Sequence, residues 1–344
     1  MSAPAMAAAG RDADEGEIVF ELLDVEKVYQ VTRRAGWFGR QRHGLAALDG
    51  VRLRVRRGAS VALVGESGSG KSTLLRVLLG LSDPSNGRAL YKGRPIAESR
   101  AQDPSFAREV AMVYQDARGS LNPRMSVAAL IAEPLRHFGI CPEAEIQGRV
   151  AELLARVGLP LQAASSYPAG LSGGQVRRVA IARALASGPS VLVADEAVSG
   201  LDVSTQAQLL ELLRRLQSEM GLTLLFITHD LGVASYLCDE IAIMYLGRIV
   251  ESGPTNAVLN DPAHPYAKAL RAAAPEFFAP IVEPLPGELP SPLDLPPGCR
   301  FAGRCAFARG PCSTDDPVLT PFMAGRQVAC LFPLTGAGGR EPGP

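Results

Sequence analysis

Gly65-Glu66-Ser67-Gly68-Ser69-Gly70-Lys71-Ser72 sets a glycine, four residues and then Gly-Lys-Ser behind an apolar run and ahead of a helical one. Glycines at this spacing let successive backbone N–H groups converge on phosphate oxygens. The helix opening near Lys71 turns its N-terminus toward the same anion. The Lys71 ammonium suits the β- and γ-phosphates, and the Ser72 hydroxyl suits Mg²⁺. Val191-Leu192-Val193-Ala194-Asp195-Glu196 is an apolar strand ending in two acids. Asp195 suits Mg²⁺, and Glu196 suits polarising an attacking water. Leu224-Leu225-Phe226-Ile227-Thr228 delivers His229 to the same edge, where an imidazole contacts a γ-phosphate and holds the water in line. Gln115, after Val113-Tyr114, is placed to touch Mg²⁺ or the water. Several strand ends converging on one phosphate loop point to hydrolysis of a nucleoside triphosphate.

The elements that position these groups are legible in the hydrophobic pattern. Ser60–Val64, Ser190–Ala194 and Leu222–Thr228 read as buried parallel strands. Between them, Lys71–Leu81, Val127–Phe138, Ala144–Val157, Gly174–Ala186 and Thr205–Met220 read as helices, with Ser126 as an N-cap. Strands alternating with helices indicate an α/β fold with a parallel sheet. Residues 18 to about 58 alternate apolar and polar positions, as in an antiparallel sheet, around a basic Arg33–Gly44 segment that reads as an exposed loop. From Pro275 to Pro297 there are eight prolines in 23 residues, which excludes regular helix and reads as a connector. Residues 1–17 and 335–344 read as disordered tails.

The 344 residues carry 35 Lys+Arg against 35 Asp+Glu, which argues against a generally basic nucleic-acid-binding surface. Lysine is scarce, at only four positions (27, 71, 92 and 268), so Lys71 in the phosphate loop stands out. No run reaches the roughly 18 apolar residues of a membrane span. The start of the chain lacks the basic and apolar regions of an export signal, so a cytosolic location with reduced thiols is expected. Any membrane role then comes through partners.

Leu171-Ser172-Gly173-Gly174-Gln175 completes a set that resembles the ATP-binding cassette ATPases. In chain order the matching features are an aromatic A-loop residue (Tyr29), Walker A (65–73, ending in Thr73), a Q-loop (Gln115), the signature (171–175), Walker B (191–196), a D-loop (Ser199–Asp202) and an H-loop (His229). The resemblance implies a P-loop NTPase cassette over residues 18–274. It would have a RecA-like parallel sheet core, an antiparallel β-subdomain and an α-helical subdomain at about 117–186. It implies ATP and Mg²⁺ as ligands, with adenine stacked on Tyr29. Stacking discriminates bases weakly, so GTP stays open. Ser172, Gly173, Gly174 and Gln175, with Asp202, would meet ATP held by a partner cassette. Two ATPs would thus be sandwiched head to tail, and their binding and hydrolysis would close and open the pair.

Finer features are similar to the peptide importers of the oligopeptide/dipeptide group, namely Gly-Glu-Ser-Gly in the phosphate loop, Ser120-Leu121-Asn122-Pro123-Arg124 after the Q-loop, and His264-Pro265-Tyr266 after the cassette. Gly36-Trp37-Phe38-Gly39-Arg40 resembles the F-type subunit of those systems. The implied partners are a second, different ATPase subunit, two transmembrane permeases and an extracellular solute-binding protein, at the cytoplasmic face of the membrane and without nucleic acid. Nickel or another small solute, and a translation- or DNA-associated cassette ATPase, are the alternatives. Two departures stand out. Ala197 replaces the usual proline, and Ala169-Gly170 replaces the commoner His-Glu before the signature.

Cys299, Cys305, Cys312 and Cys330 have five, six and seventeen residues between successive members, in a piece spanning 298–334. Zinc ligands are usually closer in sequence. Gly298-Cys299-Arg300-Phe301-Ala302-Gly303-Arg304-Cys305 resembles the C-terminal motif of the peptide-importer ATPases, which implies a [4Fe–4S] cluster on four thiolates. Zn²⁺ and metal-free thiols are the other readings. Cys141 and Cys238 read as buried structural thiols.

Overall fold

The structure is a computed structural model that describes residues 16–35, 39–273, 290–323 and 325–334. The expected tails (nearly all of 1–17, and 335–344), the Trp37-Phe38 tip and most of the proline-rich connector lie outside the described residues. Two long strands open the chain, β1 (Ile18–Ala35) and β2 (Gly39–Arg56), followed by β3 (Ser60–Val64), α1 (Lys71–Leu78), β4 (Asn86–Tyr91) and β5 (Arg94–Pro95). Then come α2 (Ile96–Gln102), α3 (Pro104–Glu109), β6 (Val110–Val113), α4 (Val127–His137), α5 (Ile146–Arg156) and α6 (Gly173–Leu185). The second half holds β7 (Val191–Asp195), α7 (Val203–Met220), β8 (Thr223–Thr228), α8 (Leu231–Leu237), β9 (Glu240–Tyr245) and β10 (Arg248–Pro254). It ends with α9 (Thr255–Asn260), α10 (Pro265–Ala273), β11 (Thr320–Pro321) and β12 (Gln327–Val328).

The large sheet runs β11-β12-β10-β9-β3-β8-β7-β6, with β9 through β6 parallel. Its central strands are buried on both faces, and strand alternation divides them between two cores. Val61 and Leu63 of β3, with Leu225 and Ile227 of β8, pack toward α1 and the four-stranded sheet β2-β1-β4-β5. Ala62, Val64, Leu224 and Phe226 pack toward α4 through α8. Every parallel strand therefore ends at one edge, where the β6, β7, β8 and β3 loops emerge together.

The helices fall within a few residues of the sequence-based boundaries. Ser126 caps α4 by accepting the Ala129 N–H at 3.3 Å, as expected. The Arg33–Gly44 loop is not observed as such. β1 and β2 stay paired from Gln30↔Gly44 out to Ala35↔Gly39, so the segment is a continued antiparallel ribbon. Main-chain ladder bonds hold it, and these need no apolar alternation. The cysteine-bearing segment is not an isolated appendage. Its β12 pairs with β10 (Glu251↔Val328) and extends the large sheet. Cys238 is buried as expected, but Cys141 is only half-buried, on the short connection between α4 and α5. Among the described residues no helix is long and apolar enough to cross a membrane.

Candidate functional site

The loop after β3 wraps closely on itself before α1. Gly70 caps α1 at φ 107, and a Cβ there would lie 2.6 Å from the Ala47 carbonyl oxygen. Only glycine meets both demands. Lys71 is 8 % exposed, and its ammonium donates to Gly65 O at 2.6 Å, Glu66 O at 2.8 Å and Ser69 Oγ at 3.3 Å. Burial lowers the Lys71 pKa, while Glu196, Asp195 and Glu66 oppose the shift through their charge.

Across a cavity of about 510 Å³ stand the residues expected from the other strand ends, Gln115, Asp195, Glu196 and His229, together with Tyr29 on β1. Glu196 is the hub. Its carboxylate accepts from Gln115 Nε2 at 2.7 Å and lies 3.1 Å from His229 Nδ1. Its backbone is left-handed at φ 42, uncommon for a residue with a side chain. That conformation is held by the Glu196 N–H to Ile227 O at 2.9 Å and by Ser199 N–H to Glu196 O at 3.0 Å. Burial raises the Asp195 pKa, the neighbouring Glu196 charge adds to it, and Lys71 works against it. Ser72, Asp195 and the Gln115 amide oxygen form an all-oxygen donor set on one cavity, the chemistry that Mg²⁺ takes. Ser67, Gly68, Ser72 and Thr73 line the same cavity, whereas Gly65, Glu66 and Ser69 form the back of the loop.

Ser172, Gly173, Gly174, Gln175 and Asp202 are not among the cavity's lining. Ser172 and Gln175 form a reciprocal capping box on α6, at 3.0 and 3.3 Å. Asp202 caps α7, accepting from Ser204 Oγ at 2.6 Å and Thr205 N–H at 2.9 Å, which holds its carboxyl well below the usual range. Ser172, Gly173 and Asp202 are exposed. Arg177 of α6 donates to Ser199 O, and a Cβ on Gly174 would meet Thr205 at 2.6 Å, so the signature and the Ser199–Asp202 loop are packed as one surface. That surface lies outside the cavity lined by this chain's own phosphate loop.

Several contacts to this site were not anticipated from the sequence. Pro292, in the described part of the proline-rich connector, lines the cavity. The Glu66 carboxylate pairs with Arg304, and the Glu66 N–H donates to the Tyr266 hydroxyl at 3.0 Å. Arg304 and Tyr266 lie in motifs quoted above, but nothing local in the sequence connects them to residue 66. His264 anchors this region. Fully buried, its Nδ1 accepts the Tyr266 N–H at 3.0 Å, while its own backbone N–H donates to the buried Glu251 carboxylate at 2.7 Å. Burial pushes the His264 pKa down to about 3. The folded chain therefore keeps this imidazole neutral, and its contribution to stability is present above about pH 6.5 and lost as pH falls toward 3. Relative to His264→Asn, the wild type should lose about 2 kcal/mol more stability between pH 7 and pH 5, measured as denaturant midpoints at each pH. Parallel pH profiles for the two proteins would contradict it.

Cys299, Cys305, Cys312 and Cys330 line one small cavity of about 20 Å³ beside His264 and Phe301. Burial raises the thiol pKa values of Cys299, Cys305 and Cys330, the last to about 11, and the neighbouring sulfurs add to this. Among the described residues, however, no three His, Cys, Asp or Glu side chains stand where they could hold one metal ion. The expectation of a metal centre is thus not met by the side chains as they stand. This weighs most against Zn²⁺, whose single tetrahedral ion needs closely gathered ligands.

Residues 48–199 match the family described as ABC transporter, and residues 250–312 match the oligopeptide/dipeptide transporter C-terminal region. A probable peptide ABC transporter ATP-binding protein of Sinorhizobium fredii is 46% identical over 316 residues, covering 90% of this chain and 89% of that one. The oligopeptide transport ATP-binding protein OppF of Salmonella typhimurium is 39% identical, over 92% of this chain and 97% of the relative. The dipeptide transport ATP-binding protein DppF of Escherichia coli is 41% identical, over 91% and 94%. Among solved structures, cbiO1 of Clostridium perfringens aligns with a TM-score of 0.61 at 28% identity, covering 75% of this chain and 95% of that one. A dimeric cassette in a post-hydrolysis state bound to ADP and Pi aligns at 0.58 and 29% identity, over 69% and 98%.

Proposed function

Because this chain belongs to the ATP-binding proteins of ABC transporters, in the branch bearing the oligopeptide/dipeptide transporter C-terminal region, we propose that it hydrolyses ATP to drive import of small peptides. The observation that carries the reading is the convergence of Lys71, Asp195, Glu196, Gln115 and His229 on one cavity, in a chain that also matches the peptide-transporter C-terminal region.

In this reading the loop N–H groups of 68–73 and the Lys71 ammonium bind the β- and γ-phosphates, and Tyr29 stacks on the base. Ser72, Asp195 and Gln115 would hold Mg²⁺, which would supply charge compensation for the phosphates. Glu196 takes a proton from water as its oxygen bonds to the γ-phosphorus and the bond to the β–γ bridging oxygen breaks, leaving ADP and phosphate. His229, already on the Glu196 carboxylate, keeps that water in line. Ser172 to Gln175 and Asp202, outside this cavity, serve the ATP of a second cassette. This fits the dimeric state of the related cassette structures. The partners are a second ATPase subunit, two permeases that bring the chain to the cytoplasmic side of the membrane, and an extracellular solute-binding protein.

Hydrolysis by the chain assembled with these partners should rise several-fold when the binding protein carries a tripeptide, and not when nickel is supplied instead. The reverse response would transfer the reading to the nickel alternative.

The four C-terminal cysteines are further proposed to hold a [4Fe–4S] cluster, which needs four thiolates and spaces them more widely than a single ion does. Its role would be to staple a segment too small to be held by a core of its own. Anaerobically purified protein should carry about four iron atoms per chain and absorb near 400 nm, and Cys312→Ser should lower both. Iron-free protein with an unchanged fold would reject the cluster.

A further inference from the structure

We infer that Arg304 and Tyr266 position the phosphate loop and thereby set its affinity for nucleotide, although both lie beyond the catalytic strands. The inference rests on the reading of 65–73 as the ATP site. Both reach the same loop residue. The Arg304 guanidinium holds the Glu66 carboxylate with two parallel bonds, at 2.8 and 3.1 Å, and its side chain is only 7 % exposed. It also donates to the Tyr245 hydroxyl at 3.4 Å. The Tyr266 hydroxyl takes the Glu66 main-chain N–H at 3.0 Å. The Tyr266 ring is fully buried, with its centroid 4.6 Å from that of Tyr245 and 5.4 Å from that of Phe301. One residue of the phosphate loop is thus fixed, side chain and main chain, by groups 238 and 200 positions downstream.

The electrostatics give this grip a functional consequence. Glu66 is a carboxylate within a loop that must receive a triphosphate, close enough for its charge to act on Lys71. Unpaired, it would repel the ligand, and like charges at short range in a half-buried site repel strongly. Arg304 cancels that charge in the bidentate geometry that a lysine cannot reproduce. The same segment also braces the loop from the other side. Arg300 donates to Leu246 O and to Asp49, and the adjoining Gly247 N–H donates to Ser69 O at 2.8 Å. Neither Arg304 nor Tyr266 touches the reacting atoms, so both are positioning residues.

The test is ATP binding and steady-state hydrolysis by the full-length chain. Arg304→Ala should weaken ATP binding about tenfold and raise KM in step, with kcat changing less than about twofold. Arg304→Lys should recover part of the loss. Replacing Glu66 by Gln in the Arg304→Ala background should bring affinity back to within about threefold of wild type, because the uncompensated charge is gone. Because relieving an unpaired charge also restores stability, unfolding midpoints of the same variants are measured alongside, and affinity that merely tracks the midpoint overturns the inference. Tyr266→Phe keeps the buried ring and loses only the acceptor, so it tests the main-chain contact without an unfolding risk; about a fivefold rise in KM is expected. Wild-type affinity in both Arg304→Ala and Tyr266→Phe, or no rescue by Glu66→Gln, overturns the inference. Lys71→Ala serves as the control. If it leaves ATP binding intact, the site reading itself fails; if it abolishes binding while the other variants bind normally, only the positioning role fails.

Discussion

Glu196→Gln should bind ATP and fail to hydrolyse it. Turnover should fall by about 10²- to 10⁴-fold, the range for removing a positioned general base. The substitution keeps the shape, and it keeps a group able to accept from Gln115, whose amide lies 2.7 Å away. It also leaves the φ 42 backbone bearing a side chain of the same length, so the loop between β7 and Ser199 keeps its two main-chain bonds. What is lost is basicity toward water. With the phosphate-binding residues intact, ATP should persist and the closed pair of cassettes should accumulate, seen as a stable dimer in size-exclusion chromatography with MgATP. Wild-type hydrolysis in this variant would reject Glu196 as the base.

Lys71→Ala should abolish nucleotide binding at micromolar ATP, with affinity lowered by at least about 10²-fold. Lys71 is held among Gly65 O, Glu66 O and Ser69 Oγ, with Asp195, Glu196 and Glu66 all close enough for their charge to act on it. Removing the ammonium leaves Asp195 and Glu196 facing a triphosphate without their main counter-charge, while Glu66 stays paired with Arg304. Arginine is not an equivalent replacement, since its planar fork differs in shape and donor geometry from the compact ammonium. Equilibrium titration with a fluorescent ATP analogue reads this directly. Affinity within threefold of wild type would contradict the assignment.

The parts of this site legible from sequence are those whose meaning is local. The Gly65–Ser72 loop reads from eight consecutive residues, because glycine spacing, lysine and helix start all act within one turn of chain. Asp195, Glu196 and His229 follow from apolar strands too short to be anything but central, and a parallel sheet brings such strand ends to one edge. Even the Ser172–Gln175 capping box is written in four residues. What stayed hidden is long-range. Nothing near residue 66 announces that its carboxylate pairs with Arg304, and nothing near residue 292 announces a proline on the nucleotide cavity. The 33–44 segment reads as a loop because it is basic and contains glycine, yet the ribbon is held by main-chain bonds that carry no side-chain signature. The left-handed backbone of Glu196 was equally silent, because nothing in its residue type marks a positive φ.

ATP hydrolysed at this cavity is expected to move peptide across a membrane. This is tested most directly by reconstituting the chain with its partner cassette and permeases in vesicles. ATP is supplied on the face that carries the cassettes, and labelled tripeptide is supplied with the binding protein on the other. Peptide should accumulate only when ATP is present, and accumulation should be lost with Glu196→Gln in this chain. Accumulation that persists undiminished in that variant, or ATP hydrolysis with no peptide movement, would contradict this.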